Sequence, residues 1–221
     1  MLYQSQITKK LIPFFGEEIS CLADLAMIAQ PVSFNAGDTI LYQNDVSADI
    51  YYISKGTAKA VIYSVEGSEI WISQFEAYSI FGEMAAFGAP ARTADIIAVS
   101  DVELLSFSQV AFLAVMAKHG SIGIKISELL VSRITDTTRR MFELSAFSSK
   151  GRVYNELLRL AEEDENGQMV INNLPAFTEM AKKINTTRET ISRTVSDIEK
   201  LGYIRREGNC LYILAPQNLG D

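Results

Sequence analysis

A glutamate and an arginine nine residues apart carry the most suggestive chemistry in this chain. They are Glu83 and Arg92, within the stretch FGEMAAFGAPARTA, residues 81–94. A guanidinium pairs with phosphate oxygens, a carboxylate accepts from vicinal hydroxyls, and the free amides around a turn bind anions. Gly82 lets the backbone approach a ligand closely, and Pro90 fixes the turn that carries the cation. The stretch therefore suits a sugar phosphate, although taken alone it would also fit an ordinary β-turn with an exposed arginine.

A second group of charged residues lies near the C-terminus, in TRETISRTVSDIEKL, residues 187–201. Thr187 is a good N-cap for a helix. An apolar stripe at spacings of four and three follows it and is predicted to be buried: Ile191, Val195, Ile198 and Leu201. The opposite face carries the polar and charged side chains: Arg188, Glu189, Ser192 and Arg193.

This opposite face suits the DNA major groove. Arginine pairs in bidentate fashion with guanine O6 and N7, and glutamate accepts from cytosine N4. In an isolated helix, Glu189 and Arg193 would instead fit a solvated surface pair. The surrounding sequence favours DNA, because it predicts a preceding helix, a tight turn at Asn185 and a following β-hairpin that turns at residues 207–209.

The elements that must position these groups show two kinds of sequence pattern. Residues 11–29 predict a short helical entry. Between about residues 31 and 110, β-rich runs broken by turn residues predict an all-β sandwich or barrel: TILYQ, DIYYIS, AKAVIYSV, EIWISQF, ADIIAVS and VELLSFS. The polar, glycine-containing SSKGR, residues 148–152, is interpreted as a break and hinge before a second, helical domain.

A third pattern lies between these regions, where the spacing of the apolar positions alternates between four and three residues. These positions are Leu130, Ile134, Thr137, Met141 and Leu144. The pattern is that of a two-helix coiled-coil seam, although such a stripe could also pack on its own sheet. We expect a homodimer, because the predicted DNA-binding half needs one.

Charge and composition limit the classes of function. The chain of 221 residues has a formal net charge of -7, with 8 basic against 15 acidic residues over 1–136 and 12 against 11 over 137–208. This balance permits DNA binding by local placement of charge, with modest non-specific affinity. We expect no membrane segment, because no run of about 18 apolar residues occurs. The N-terminal segment has no signal-peptide pattern, and the two cysteines, Cys21 and Cys210, lie far apart; both features favour the cytoplasm.

Two motifs resemble those of a known family. TTRETISR, followed by DIEKLGYI, resembles the winged helix-turn-helix of the cyclic AMP receptor protein/FNR family. FGEMAAFGAPARTA resembles the phosphate-binding cassette of cyclic-nucleotide-binding domains, and AGDTILYQNDVSADIYYISKGTAKAV resembles the first strands of that domain. The resemblance covers residues 15–215. The chain departs from it at Ala176, where the family has a Ser/Thr cap, and at three turn positions where glycine is common: Asn44, Tyr78 and Asn185.

The resemblance implies an α+β fold. A jelly-roll-like β-roll with flanking helices would bind the cyclic nucleotide over residues 1–118, a dimerisation helix would span 119–147, and a winged helix-turn-helix would span 148–221. It implies a cytoplasmic homodimeric transcription regulator that is switched allosterically by cAMP or cGMP and binds a palindromic TGTGA-like site. The implied partners are double-stranded DNA, the cyclic nucleotide and RNA polymerase, with no membrane.

The resemblance also implies site residues. The cyclic nucleotide would be bound by Gly82, Glu83, Met84, Arg92, Thr93, Thr137 and Thr138. In the family, the position of Glu83 binds the ribose hydroxyl, that of Arg92 the cyclic phosphate, and that of Thr93 the phosphate or base. The Thr137–Thr138 pair stands where adenine is contacted, although two tolerated threonines are the alternative. DNA would be contacted by Thr178, Thr187, Arg188, Glu189, Ser192 and Arg193.

Alternatives stay open at this point. A member of the same family could bind DNA independently of a cyclic nucleotide, or with another effector. An iron–sulfur sensor would need about four cysteines, and a haem sensor would need a ligand within the β-roll. A cupin-like metalloenzyme is the remote alternative, and its site would need more histidines than the single His119. We therefore expect no metal, no covalent cofactor and no catalytic residue.

Overall fold

The computed structural model describes residues 2–67, 69–165 and 167–219, and the chain divides into two compact units. The first unit spans residues 1–134 and the second spans residues 135–221. The boundary falls inside one long helix, and each unit has its own hydrophobic core. The architecture is α+β, as predicted.

The first unit begins with helices, continues through the strands of a β-roll and ends in helices again. Its elements are α1 (Leu2–Phe15), α2 (Ile19–Ile28), β1 (Gln30–Phe34), β2 (Thr39–Leu41), β3 (Ile50–Lys55), β4 (Ala58–Tyr63), β5 (Glu69–Phe75), β6 (Ile80–Phe81), α3 (Glu83–Ala86), β7 (Asp95–Ala98), β8 (Val102–Phe107), α4 (Gln109–Lys118) and α5 (Gly120–Ala146). Every β-rich run identified in the sequence contains all or nearly all of one of these strands. The two strands that the sequence did not predict are β1 and β6.

The β-roll is built in layers. Among the described residues, its strands form two antiparallel sheets of four, ordered β1-β8-β3-β6 and β2-β7-β4-β5. In β3, Tyr52 packs into a cluster with α1, α2, α4 and α5, whereas the adjacent Ile53 packs into a cluster shared with the second sheet. Successive side chains of a strand point to opposite faces. The first sheet is therefore covered by helices on one face and by the second sheet on the other.

The N-terminal helical region is longer than predicted. The expected single entry over residues 11–29 is two helices, separated at Gly16, whose φ is +82°. Helix α1 begins at Leu2 because Ile7, Leu11 and Phe15, four residues apart, form a buried stripe. The first turns of α1 also contain polar residues, which weaken the helical pattern in the sequence there.

The two turn positions in the β-roll where the chain lacks the family's glycine keep a left-handed backbone. Asn44 has a φ of +70° and Tyr78 has a φ of +71°. Asparagine is tolerated in this region, whereas a bulky side chain is strained there. The loop geometry has therefore been kept despite both departures.

Helix α5 changes character along its length. Ile122 and Ile126 are buried in the core of the first unit. Leu130, the first residue of the predicted seam, is partly buried against the same core. The apolar seam residues further along are exposed, with Ile134 at 66%, Met141 at 65% and Leu144 at 48%. Within the described residues, no single helix is long and apolar enough to cross a membrane; α4 and α5 meet the requirement only together, and they are bent by 114°.

The second unit combines helices with a small sheet. Beyond the end of α5, its elements are α6 (Ser149–Leu160), β9 (Glu162–Glu163), β10 (Met169–Ile171), α7 (Phe177–Lys183), α8 (Arg188–Lys200), β11 (Ile204–Glu207), β12 (Cys210–Ile213) and a 3₁₀ turn (Pro216–Leu219). The sheet order is β11-β12-β10-β9. The predicted hairpin β11–β12 is confirmed, with its turn at residues 208–209.

The predicted break over residues 148–152 is present but shorter and shifted: α5 ends at Ala146 and α6 begins at Ser149, so residues 149–152 are helical. Ser148 is the N-cap of α6, and its hydroxyl accepts a hydrogen bond from the Gly151 amide at 3.1 Å. The capped helix begins at Ser149, because serine at an N-cap satisfies an amide that the helix leaves free. The stretch that looked like a hinge is therefore the first turn of a helix.

The buried stripe of α8 is largely as predicted. It consists of Ile191, Thr194, Val195 and Ile198. Leu201, expected to continue it, is 62% exposed. It is the C-cap, and the chain turns away at Gly202, whose φ is +75°. The helical spacing therefore no longer applies at Leu201.

Candidate functional site

The turn after β6 is shaped by a glycine. Gly82 has a φ of +82° and is the N-cap of the short helix α3. A Cβ at this position would lie 2.8 Å from Arg92 Nη1 and 2.9 Å from the Asp49 carbonyl oxygen. Both distances are far below van der Waals contact, so only glycine fits. The close approach inferred from the sequence is here an approach to the chain's own arginine.

Arg92 is buried and already bonded. It is 4% exposed, and its Nε donates to Ser47 Oγ at 3.1 Å. Nη1 donates to the Gly82 carbonyl at 2.8 Å, and Nη2 donates to the Asp49 carbonyl at 2.9 Å. Burial lowers the pKa of the Arg92 guanidinium, and nearby acidic groups oppose the shift. Arginine stays charged in proteins, so a cation with N–H donors beyond these three is held beside the turn.

Glu83 is the second buried charge of this turn. It is fully buried, and its Oε1 accepts from Arg133 Nη1. Arg133 also donates to the Ile80 carbonyl, and its guanidinium lies 5.1 Å from the centre of the Phe75 ring. The other carboxylate oxygen, Oε2, is buried without a hydrogen-bond partner among the described residues. A buried acceptor left unpaired is costly, so this oxygen suits a hydroxyl supplied by a ligand.

The remaining predicted ligand residues of the first unit lie at the surface, beside the turn after β6. Met84 is 49% exposed, and Thr93 is exposed as well. The Thr93 hydroxyl lies 3.7 Å from the Met84 sulfur. Gly82, Glu83, Met84, Arg92 and Thr93 are thus brought together, with the two charges buried and the two uncharged side chains at the surface.

Thr137 and Thr138 are placed differently. Both are exposed on α5, and both belong to the second unit. The structure of the first unit therefore brings together five of the predicted ligand residues without them.

Sequence reasoning missed Arg133 and Ser47. Arg133 was signalled only by being a cation close to the apolar residues LLV and Ile134 in ISELLVSRI of the predicted seam helix. Ser47 gave no signal, because its hydrogen bond to Arg92 joins residues 45 positions apart.

The charged helix near the C-terminus has the predicted start. The Thr187 hydroxyl accepts from the Thr190 amide at 3.1 Å, which confirms the N-cap. Asn185 has a φ of +50°, which confirms the left-handed turn. Ala176 is the N-cap of α7 and makes no side-chain cap bond, so the helix before the turn lacks that stabilisation.

One face of α8 is exposed and polar. It presents Arg188, Glu189, Ser192 and Arg193 to solvent. In the part of the chain that the structure describes, Glu189 and Arg193 form no salt bridge, so the surface pair considered above is not formed. Thr178 is likewise exposed, on α7. The face therefore offers donors and an acceptor that are free to meet another molecule.

The hairpin that follows adds two arginines. Arg205 lies over the Tyr212 ring at 5.0 Å and pairs with Glu207 at 2.9 Å. Arg206 pairs with Glu199 of α8. The second pair ties the hairpin to the end of the helix, so the helix and the wing form one surface.

Comparisons with known proteins agree with both halves of this description. A family model described as "Cyclic nucleotide-binding domain" matches residues 31–119, and one described as "Crp-like helix-turn-helix domain" matches residues 151–221. The chain is 26% identical over 209 residues to the CRP-like cAMP-activated global transcriptional regulator of Mycobacterium tuberculosis, covering 93% of each chain.

Two solved structures are similar as well. A transcriptional regulator of the CRP/FNR family from Thermus thermophilus has a TM-score of 0.60 and 25% identity, with 86% of this chain and 98% of that chain covered. The c-di-GMP-responsive global regulator CLP of Xanthomonas campestris has a TM-score of 0.75 and 16% identity, with 89% and 99% covered. The second likeness is one of fold.

Proposed function

Since the chain belongs to the cyclic AMP receptor protein/FNR family of DNA-binding, cyclic-nucleotide-binding transcription regulators, we propose that it is a homodimer whose grip on an operator is controlled by cAMP or cGMP. The family consists of regulators and not enzymes, so the cupin-like alternative is set aside. The observation that carries the proposal is the unpartnered, buried Glu83 Oε2 beside the buried Arg92 guanidinium.

The residues of this turn fit a cyclic nucleotide. The Arg92 guanidinium would neutralise the cyclic phosphate. Glu83 Oε2 would accept from the ribose 2′-hydroxyl, and Arg133 would keep the other carboxylate oxygen bonded. Met84 and Thr93 would line the open side, where the Thr93 hydroxyl meets the phosphate or the base. Thr137 and Thr138 would contact the base from α5.

The dimer is supported by the exposed apolar side chains of α5. Ile134, Met141 and Leu144 follow the spacing of a coiled-coil seam and are each about half to two-thirds exposed. Removing apolar side chains from water is favourable, so a stripe of this kind is stabilised when another surface covers it. We assign that cover to the same stripe of a second copy, since an isologous pair buries both stripes at once.

DNA binding would use the exposed face of α8. Two recognition helices of a dimer must lie about 34 Å apart to enter successive major grooves. Arg188 and Arg193 would read guanines of a TGTGA-like half-site and Glu189 a cytosine, while Thr178, Thr187 and Ser192 would contact the backbone or bases nearby. A ligand that binds the competent arrangement more tightly than the other would shift the dimer towards it.

The first choice of effector is cAMP. Relatives that cover most of this chain are named as cAMP-activated or cyclic AMP receptor proteins. A hydroxyl at Thr93 also suits a guanine amino group, so cGMP is the second. An effector of another class, or none, stays an alternative because Arg92 already has three acceptors of its own chain. We also expect a cytoplasmic location and RNA polymerase as a partner.

Titration calorimetry with cAMP and with cGMP tests the effector assignment. We expect heat of binding with at least one of them, and a loss of about 100-fold or more in affinity for Arg92→Lys, because an ammonium cannot reproduce the guanidinium fork. Arg139→Lys, at an exposed arginine, is the matched control and should bind like the wild type. Heat with neither nucleotide, from protein shown to be folded, would refute the proposal.

A further inference from the structure

The turn between α7 and α8 is held by an arginine from outside the motif. Arg152, in the first turn of α6, donates from Nε to the Ile184 carbonyl at 2.9 Å. Its Nη2 donates to the Asn185 carbonyl at 2.9 Å, and its Nη1 donates to the Phe147 carbonyl at 3.0 Å. One guanidinium thus joins two successive carbonyls of the turn to Phe147, the residue that follows α5.

A second arginine reaches the preceding carbonyl. Arg140, on α5, donates from Nη2 to the Lys183 carbonyl at 2.9 Å. Arg140 is partly buried, and burial lowers the pKa of its guanidinium. Lys183 itself is tied to α6, because its ammonium lies 3.2 Å from Glu156 Oε1. The carbonyls of residues 183, 184 and 185 therefore all accept from guanidinium groups.

These carbonyls are the ones that need donors. The last carbonyls of a helix have no partner within it, and the C-terminal end of a helix carries partial negative charge. Hydrogen bonds from a guanidinium are charge-assisted and shorter than neutral ones. The backbone of the turn is thereby fixed at the point where it enters the left-handed conformation of Asn185, two residues before the N-cap of α8.

We propose that Arg152 and Arg140 are positioning residues for DNA recognition. They hold the turn so that the exposed face of α8 meets base edges in one register. Arg140 has a further consequence, which rests on the proposed function: it lies on the helix assigned to dimer contact, so it links the turn directly to the seam between subunits. A shift of α5 on effector binding would reach the recognition helix through this bond.

The proposal separates specific from non-specific binding. Base readout needs the turn in register, whereas attraction to phosphates depends on the number of cations. We call Arg152 and Arg140 the clamp arginines. A neutral variant of either should lose more sequence discrimination than the removal of one positive charge would cause. Arg139 supplies the control, because it is the neighbouring cation on α5 and pairs only with side chains of that helix, Asp136 at 2.9 Å and Glu143 at 4.0 Å, among the described residues.

The experiment compares Arg152→Met and Arg140→Met with Arg139→Met. Dissociation constants are measured for a duplex with palindromic TGTGA half-sites and for a scrambled duplex of equal length, with and without saturating cAMP. We expect the ratio of the two constants to fall about tenfold or more in both clamp variants and to stay at the wild-type value in Arg139→Met. Arg152→Lys should not restore the ratio, since one ammonium cannot reach three carbonyls in that geometry.

A second measurement needs neither DNA nor effector. Amide hydrogen exchange of residues 183–187 should be faster in Arg152→Met than in wild type and unchanged in Arg139→Met. Unaltered ratios in the clamp variants, or exchange in Arg152→Met equal to that of Arg139→Met, would overturn the clamp. If neither cAMP nor cGMP changes DNA binding by the wild type, effector control is refuted, and the role of the clamp arginines is still tested by the ratios of the dissociation constants. If the wild type does not discriminate between the duplexes, the assigned half-site fails and the exchange rates decide.

Discussion

The charged residues of the two candidate sites are handled in opposite ways. In the turn after β6, Glu83 and Arg92 are buried, and the chain's own groups already bind them. On α8, Arg188, Glu189 and Arg193 are exposed, with no salt bridge among the described residues. Burying a charge without a partner is costly, so a pocket for a small ligand must supply partners beforehand. A surface that meets DNA needs none, because water solvates its charges until DNA arrives.

This contrast determines what substitutions should do. Removing one member of the buried set leaves other buried groups unpaired, so stability and ligand affinity fall together. Removing a charge from the face of α8 affects only the complex. The following predictions test that distinction, beginning with the largest effect.

Arg133→Met should lower the free energy of unfolding by about 3 kcal/mol, because it leaves the buried Glu83 carboxylate unpaired. Glu83→Gln in the same background should recover part of the loss, since a neutral amide is less costly to bury. Urea unfolding of the four proteins of the cycle measures the coupling. Additive effects would show that the two side chains do not depend on each other, contrary to the arrangement described.

Arg193→Ala should leave the free energy of unfolding within about 0.5 kcal/mol of wild type. It should reduce discrimination between the consensus half-site and one altered base pair by about 1–3 kcal/mol, as loss of a bidentate contact does. Competition binding with single-substituted duplexes measures this. Lys200→Ala, at the far end of the same helix, is the control and should keep full discrimination. If both variants keep it, Arg193 does not read a base.

The smallest effect concerns the ion pair between Glu199 of α8 and Arg206 of the hairpin β11–β12. Hydrogen bonding to Arg206 lowers the pKa of Glu199 from its ordinary value near 4.5. A carboxyl with a lowered folded-state pKa adds stability that is present above its unfolded value and is lost as the pH falls through the folded value. Glu199→Gln should therefore destabilise the protein slightly at pH 7, by a few tenths of a kcal/mol, and the difference should vanish well below pH 4.5. Urea unfolding at both pH values measures it, and a difference that persists at low pH would contradict the pairing.

Local patterns predicted most of what is local. Strand runs, the Thr187 cap, the left-handed Asn185 and the buried face of α8 depend on neighbours within about four residues, and the structure confirms them. Where a local rule ends, the prediction failed: Leu201 lies beyond the helix whose spacing it seemed to continue.

Contacts between distant parts of the chain were beyond the sequence. The pairing of Glu83 with Arg133 spans 50 residues, and the bond from Arg140 to the Lys183 carbonyl spans 43. Neither residue of the second bond belongs to a motif, and a backbone carbonyl can be supplied by any residue. The short strands β1, β6, β9 and β10 were not predicted for a related reason, since a short strand is defined by its pairing partners more than by its composition.

The central claim is that occupancy of the Glu83–Arg92 turn governs DNA binding. Its most direct test is the affinity for a palindromic TGTGA duplex, measured by fluorescence anisotropy with and without cAMP or cGMP, in wild type and in Glu83→Gln. We predict that one nucleotide tightens binding of the wild type at least about tenfold, within the usual range of allosteric coupling, and that the same concentration leaves Glu83→Gln unchanged. Equal affinity with and without both nucleotides, or an undiminished response in Glu83→Gln, would contradict the account.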